Sequence, residues 1–302
     1  MSPSAPLPDL RITLPPGLTA VGHAAMATEF VLHLGGHDPA YLRQAAVEAG
    51  REIDRLEETL SFYRESSDVT RLNRAAPGAE VSVSPNTLAC LELAAEAARL
   101  TGGAFDAFTG RAAIAAKQQE VPLHLRHAPS PGETDVPGPV FSLHPESGVI
   151  RKLRAGPWLD LGALGKGYAL DAAAAVLQEW AVTEGFLSAG GSSLRGLGGN
   201  GWQLEVGASA ASIPLPGAFG LGASGFLFQP GHIIDARATG AVSAAKRTVA
   251  LAPSAALADA LSTAAMLLTA TQLAELIRSQ PGLALLVIDA QGRRQGYGPP
   301  FA

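Results

Sequence analysis

The sequence predicts an α+β fold, with mixed or antiparallel sheets packed against helices in a single compound domain. Short runs of β-branched and aromatic residues stop at glycine turns, as strands do. Longer stretches place apolar residues three and four apart, which is typical of amphipathic helices. Neither repeats nor a convincing linker divides the 302 residues. We therefore expect a Pro-rich N-terminal lead over residues 1–22 and one domain over residues 23–302.

The first half of the chain should alternate strands and helices. Residues 26–35 form a strand pattern before a Gly-Gly turn, and residues 41–60 follow with helical periodicity. A second helix should begin at Ser84-Pro85, which offers an N-cap and a proline in the first turn. An irregular loop and a hairpin are then expected, the loop over residues 117–139 and the strands over 141–144 and 149–152.

The second half starts with an expected strand, tight turn and Ala-rich helix over residues 159–180. Residues 208–222 are rich in Ala, Gly and Pro, which favours a loop. The other expected elements are strands at 185–193, 202–206 and 248–252, a helix at 255–268, and a terminal hairpin over 284–289 and 292–297.

Composition excludes several classes of partner. The net charge is −5 and no run of Lys or Arg offers a surface for nucleic acid or an anionic membrane. Cys90 is the single cysteine, which rules out an internal disulfide and a cysteine-rich metal site. No secretory signal and no membrane-length apolar run is visible, so we expect no membrane insertion and a cytoplasmic location.

A glycine-rich corner at residues 159–171 is the first candidate for chemistry. Its glycines would let a ligand approach the main chain, the helix N-terminus favours an anion, Lys166 adds a cation, and Asp160 adds an acceptor. The alternative is a packed βα corner with Lys166 solvated, since the spacing matches neither the Walker A pattern nor the dinucleotide fingerprint.

Oxygen-bearing side chains on an apolar helix form a second candidate. Asp259 and Thr263 share a face at i and i+4, with Ser262 beside them, and such all-oxygen sets suit Mg²⁺. Equally, the carboxylate could make a structural hydrogen bond and the hydroxyls could bond to the preceding turn. His232 begins an apolar run, where a histidine serves either as a structural residue or as a base. We interpret His124 and His127 as surface histidines.

These motifs, in this order, resemble those of the FAD:protein FMN transferase (ApbE) family from about Met26 to Leu268. They are Met26-Ala-Thr, Ser61-x-Tyr63 with Ser67 and Asn73, Gly103-Ala-Phe-Asp106, Asp160-Leu-Gly-x-x-x-Lys166-Gly-Tyr, Ala189-Gly-Gly191, His232-Ile-Ile-Asp235 and Ala258-Asp-Ala-Leu-Ser-Thr263.

The resemblance implies an ApbE-like domain that transfers the FMN half of FAD to a threonine of an acceptor redox protein, with Mg²⁺, releasing AMP. Within it, His232 would be the candidate base. The metal would be held by the Ala163 carbonyl, Asp259 and Thr263, with Ser262 close by. FAD would be contacted by Met26, Tyr63, Ala104, Phe105, Asp106, Asp160, Lys166 and Ile234, and Tyr63 or Phe105 could pack against a ring.

Three departures from the family pattern are visible. The family's Met-Gly-Thr is Met26-Ala27-Thr28, a change that is tolerable if Ala27 has a negative φ. Its Gly-Gly-Asp turn is Gly190-Gly191-Ser192, which lacks the carboxylate, and the loop from His232 to Gly240 lacks a proline and gains one residue. FAD hydrolysis to FMN and AMP, or FAD binding without catalysis, are therefore the alternative functions.

Overall fold

The computed structural model of the protein describes residues 10–116, 119–129, 138–199, 201–206, 212–225 and 247–302. Within these ranges the chain forms seven α-helices and three sheets whose strand pairs are all antiparallel. The predicted α+β class is therefore confirmed.

The helices and strands are bounded as follows. The helices are α1 (Pro39–Leu60), α2 (Asp68–Arg74), α3 (Pro85–Leu100), α4 (Gly110–Ala116), α5 (Gly165–Glu179), α6 (Ala255–Ala265) and α7 (Ala270–Ser279). The strands are β1 (Leu10–Thr13), β2 (Thr19–Ala25), β3 (Thr28–Leu34), β4 (Glu80–Ser82), β5 (Phe141–His144), β6 (Val149–Lys152), β7 (Gly185–Ala189), β8 (Ser193–Gly198), β9 (Gln203–Val206), β10 (Ser212–Pro214), β11 (Ala218–Gly225), β12 (Arg247–Ala252), β13 (Ala284–Ile288) and β14 (Arg294–Tyr297).

The main sheet has the strand order β14-β13-β12-β11-β8-β7-β3-β2. Helices α5 and α6 pack on one face of it, and α1 packs against α5. Apolar side chains of the other face, such as Phe186 and Phe219, form a second core with Trp202 and with Leu204 of the small sheet β1-β9-β10. Both faces of the main sheet are thus buried over much of its area.

Two carboxylates join α5 and α6, because each helix carries an acid that accepts hydrogen bonds from the N-terminus of the other helix. Asp171 of α5 accepts from the backbone N–H groups of Ala255 and Ala256, both at 2.9 Å, at the start of α6. Asp259 of α6 accepts from the backbone N–H of Gly167, at 2.9 Å, in the first turn of α5. Each helix therefore caps the other, which satisfies N–H groups that have no partner within their own helix.

The prediction of a loop at 208–222 is wrong for residues 212–214 and 218–222, which belong to β10 and β11. The small residues of β11 are explained by the approach of α6. A Cβ on Gly220 would lie 2.2 Å from the Ser254 carbonyl carbon, and one on Gly222 would lie 2.4 Å from the Ala258 oxygen. Glycine is required there by helix–sheet contact and does not indicate a turn.

The prediction of a strand from residue 159 into the glycine corner is also wrong, because these residues form no strand. Leu159 exchanges two hydrogen bonds with the side chain of Asn73, at 2.8 and 2.9 Å, and Asp160 N–H donates to the Ala107 carbonyl at 2.7 Å. A side chain and a loop thus take the bonds that a neighbouring strand would make. Helix α7 was not anticipated, whereas the hairpin of β5 and β6 confirms the prediction.

Part of the expected N-terminal lead is folded, because β1 pairs with β9 and β2 pairs with β3. The boundary between lead and domain stays a prediction, as does the cytoplasmic location. In the part of the chain that is described, no helix combines the length and the apolar character needed to cross a membrane.

Candidate functional site

The glycine corner is a tight turn that leads directly into α5. Asp160 closes this turn, since its Oδ1 accepts from the backbone N–H of Gly162 at 2.8 Å. The carbonyl of the exposed Ala163 accepts no hydrogen bond from any described residue. Lys166 lies in the first turn of α5, so its charge adds to the positive end of the helix dipole.

Asp259 faces this corner from α6 and is 6% exposed. Its Oδ2 accepts two hydrogen bonds, from Gly167 N–H at 2.9 Å and from the Ser193 hydroxyl at 2.7 Å. Burial raises the pKa of Asp259 to about 7, while the nearby charge of Lys166 and the two hydrogen bonds act in the opposite direction. The structure therefore brings Lys166 and Asp259 together, as the motifs suggested.

Hydroxyl groups surround the next turn of α6. Ser262 and Thr263 donate to the Asp259 carbonyl, at 2.9 and 3.2 Å, so the structural bonds that the sequence left open are present. Ser224 lies 2.9 Å from the Ser262 hydroxyl and 3.3 Å from that of Thr263. Each hydroxyl oxygen keeps acceptor capacity after these bonds, so the structural bonds and a ligand role are compatible.

An aromatic edge lies on the Asp160 side of the corner. Tyr63 is 60% exposed and meets Phe62 edge-on, with ring centroids 5.4 Å apart. Partial burial and then the charge of Asp160 raise the pKa of the Tyr63 phenol, which indicates that the two side chains are near each other. Tyr63 therefore offers an accessible ring beside the corner.

The predicted Gly-Ala-Phe-Asp segment is largely buried and is linked to the corner through one backbone hydrogen bond. Ala104 and Phe105 are buried, at 3% and 2% exposure, so the ring of Phe105 belongs to the core. Asp106 is half-buried and its Oδ1 accepts from the Phe108 N–H at 2.8 Å. The segment reaches the corner through the Ala107 carbonyl, which accepts from Asp160 N–H.

Met26 and Ala27 form a two-residue turn between β2 and β3. Their φ angles are +49° and +55°, so both lie in the left-handed region. The condition of a negative φ at Ala27 is therefore not met, and the methyl group adds strain where the family pattern has glycine. This turn adjoins the Gly190 turn, because Gly190 N–H donates to the Glu29 carbonyl at 3.0 Å.

His232 and Ile234 lie outside the described residues. The remaining candidates occupy three places: the glycine corner with α6, the aromatic edge, and the turn at Met26.

The family model for the ApbE family matches residues 26–287. The chain belongs to the ApbE family. No curated protein sequence matches it at a significant level.

Solved ApbE structures share its fold. The flavin transferase ApbE of Vibrio cholerae is 20% identical, with a TM-score of 0.72 over 94% of this chain and 97% of that one. The Thermotoga maritima ApbE protein is 22% identical, with a TM-score of 0.73 over 93% and 97% of the two chains. The flavinyl transferase ApbE of Pseudomonas stutzeri is 20% identical, with a TM-score of 0.74 over 93% and 95%.

Three hydroxyl residues of this ApbE chain were not among the candidates. Ser193 binds Asp259, Ser224 binds the α6 hydroxyls, and Thr248 donates to the Ser262 carbonyl at 2.6 Å. They come from β8, β11 and β12, which run side by side in the sheet. The order of the strands in the sheet brings these three residues together, and that order cannot be read from the sequence. The Ser-Ser pair after Gly191 does indicate that polar groups follow the glycine turn.

Metal binding by this ApbE chain would depend on few carboxylates. Among the described residues, no group of three or more His, Cys, Asp or Glu side chains is placed to hold an ion. The oxygen donors at the corner are the Asp259 carboxylate, the hydroxyls of Ser262 and Thr263, and the Ala163 carbonyl.

Proposed function

We propose that the protein transfers the FMN moiety of FAD to a threonine of an acceptor redox protein, with Mg²⁺, and releases AMP. The observation that carries the proposal is the family match over residues 26–287 combined with the corner that joins Lys166, Asp259 and Thr263. Two of the structural neighbours are themselves named flavin or flavinyl transferases, which supports the same chemistry here.

FAD would contact all three of the places described above. Lys166 and the N-terminal turn of α5 would hold the diphosphate, since both present positive charge. Tyr63 would stack on a ring from its exposed position, and Asp160 would accept a hydrogen bond with the oxygen that the turn leaves free. Met26 would contact FAD from the turn between β2 and β3. Ala104, Phe105 and Asp106 would contact it from the segment beside the corner, and Ile234 is the remaining proposed contact.

The donor set fits Mg²⁺ rather than a softer metal. All of the donors are oxygens, and one carboxylate with substrate phosphates is the usual way in which proteins bind this ion. Asp259, Thr263 and the Ala163 carbonyl would hold it, with Ser262 alongside. When bound, the ion would neutralise charge on the diphosphate.

In the transfer, the threonine oxygen of the acceptor forms a bond to the phosphorus of the FMN half, and the bond from that phosphorus to the AMP oxygen breaks. The threonine proton passes to a base, for which His232 is the candidate. Lys166 would stabilise the charge that develops on the phosphoryl oxygens. AMP leaves with the former bridging oxygen.

The test incubates the purified protein with FAD, with and without Mg²⁺, and with candidate acceptor proteins that carry a target threonine. AMP is measured by chromatography and the acceptor's mass by mass spectrometry. Transfer predicts one AMP for each FMN adduct on the acceptor. AMP without an adduct would identify hydrolysis, and bound FAD without AMP for any acceptor would identify a carrier.

Two variants connect the result to the site. Asp259→Asn keeps the side-chain shape but weakens metal binding, so AMP release should fall at least about a hundredfold. Glu179→Gln changes an exposed acid at the C-terminal end of α5, opposite the end that carries Lys166, and should leave the rate unchanged. Equal rates in the two variants would contradict the assignment of Asp259.

A further inference from the structure

The two carboxylate oxygens of Asp259 have different surroundings. Oδ2 accepts from Gly167 N–H and from the Ser193 hydroxyl, whereas no hydrogen bond from the described residues reaches Oδ1. Two short bonds to one oxygen fix the orientation of the carboxylate about its terminal torsion. One oxygen is thus committed to the protein and the other is available to a ligand.

We propose that Ser193 is a positioning residue that restricts Asp259 to one-oxygen coordination and thereby favours Mg²⁺ over Ca²⁺. This inference rests on the proposed metal site. Ca²⁺ accepts six to eight oxygens and commonly takes both oxygens of a carboxylate, whereas Mg²⁺ requires a small octahedral set. A carboxylate with one oxygen already hydrogen-bonded can still give Mg²⁺ a single oxygen ligand, but it cannot bind Ca²⁺ through both oxygens.

Ser193 is well placed for this role because it is buried and paired on both sides in the main sheet. It is 1% exposed and stands at the first position of β8, paired with Ala189 on one side and Gly222 on the other. Its hydroxyl donates its proton to Asp259, a hydrogen bond to a charged acceptor when the carboxylate is ionised. Groups that orient a metal ligand in this way commonly change metal affinity ten- to a hundredfold when they are removed.

The other donor to Oδ2 cannot supply the same selectivity alone. Gly167 contributes a backbone N–H, and a single donor leaves Oδ2 with an unused lone pair. Without the Ser193 hydroxyl the carboxylate could turn and offer both oxygens. The selectivity therefore resides in a side chain that can be replaced.

The experiment measures metal affinity directly. Free Mn²⁺ is followed by electron paramagnetic resonance in titrations of the full chain with FAD present, against a protein-free FAD blank, and Mg²⁺ and Ca²⁺ affinities are obtained by competition. Ser193→Ala should weaken Mg²⁺ about tenfold and Ca²⁺ much less, so the preference for Mg²⁺ falls by about tenfold. Ser193→Thr, which keeps the hydroxyl, should retain the native preference.

Two further variants make the result decisive. Ser188→Ala removes a half-buried strand hydroxyl that makes a 3.5 Å bond to the Val31 carbonyl, away from Asp259, and should match the native protein. Ser193→Cys keeps the volume and donates weakly, so it gives the same shift if Ser193→Ala does not fold.

The outcomes separate this inference from the proposed function. An unchanged Mg²⁺ to Ca²⁺ ratio in Ser193→Ala and Ser193→Cys, with tight Mn²⁺ binding in the native protein, would overturn the role of Ser193 and leave the metal site intact. Native protein that binds no Mn²⁺ above the FAD blank would overturn both.

Discussion

Replacing Ala27 by glycine should raise the free energy of unfolding by about 0.5–1 kcal/mol. Ala27 has a φ of +55° in the turn between β2 and β3, and its side chain is exposed. An alanine in the left-handed region costs about 1–2 kcal/mol, and glycine removes that cost. The gain is partly offset by the greater freedom of glycine in the unfolded chain, about 0.4–1 kcal/mol.

Urea unfolding followed by circular dichroism measures this effect. With a slope of about 3 kcal/mol per molar urea, the midpoint should rise by about 0.2–0.3 M. Ala181→Gly should shift the midpoint in the same direction, because Ala181 is exposed and has a φ of +57°. The two positions test one cause at separate places in the fold.

The matched control is Ala274→Gly, at an exposed position inside α7. There the backbone is helical, so glycine should lower the free energy of unfolding by about 1 kcal/mol. If Ala27→Gly destabilises the protein as much as Ala274→Gly does, the strain argument for the turn is refuted.

Three other substitutions test the interior. Lys152 is 1% exposed, and its ammonium lies 4.6 Å from the centre of the Phe141 ring. Burial lowers the pKa of Lys152 to about 8. The charged ammonium therefore destabilises the fold below pH 8, and this penalty fades as the pH rises toward 10.5. Lys152→Met should add up to about 3 kcal/mol at pH 7 and abolish that rise in urea titrations between pH 7 and 10.5; an unchanged pH profile would contradict this. Asp171→Ala should cost about 2 kcal/mol in urea unfolding, because two N–H groups of α6 lose their acceptor, and a loss under about 0.5 kcal/mol would show that water replaces it. Gly167→Ala places a Cβ 2.3 Å from the Ala255 carbonyl oxygen and should cost about 3 kcal/mol in thermal unfolding, whereas Gly165→Ala meets nothing within 4 Å and should be neutral or stabilising; equal effects would refute the contact.

Elements whose stability is local could be predicted from the sequence. Helix α1 has an Asp38 N-cap, a proline in its first turn and a regular row of buried residues, and all of these are visible as sequence patterns. The hairpin of β5 and β6 has a glycine at its turn with φ +64°. These features depend on neighbours a few residues away.

Elements that depend on distant contacts were misjudged. Strand β11 has a composition typical of loops, because Gly220 and Gly222 make room for α6, which lies more than thirty residues further along the chain. The bonds of Leu159 go to Asn73, 86 residues away, so an apolar run that looks like a strand has no strand partner. Neither contact leaves a periodic signal.

The same reasoning applies to the site. Asp259, Thr263 and Lys166 are candidates because they stand in short motifs, and the structure places them near one another. Ser224 and Thr248 were missed because their role comes from adjacent positions in the sheet, with partners 38 and 14 residues away. The positive φ of Ala27 could not be predicted, because alanine, unlike glycine, is not typical of a left-handed backbone.

The exchange of carboxylates between α5 and α6 bears on how relatives of this protein should be compared. Asp259 holds the start of α5 as Asp171 holds the start of α6, so natural selection for a stable fold alone is enough to preserve both acids. A descendant that had ceased to transfer flavin would still retain Asp259. The Lys166 ammonium makes no hydrogen bond or ion pair to the described residues, so its loss would be the earlier sign that a lineage had abandoned the reaction.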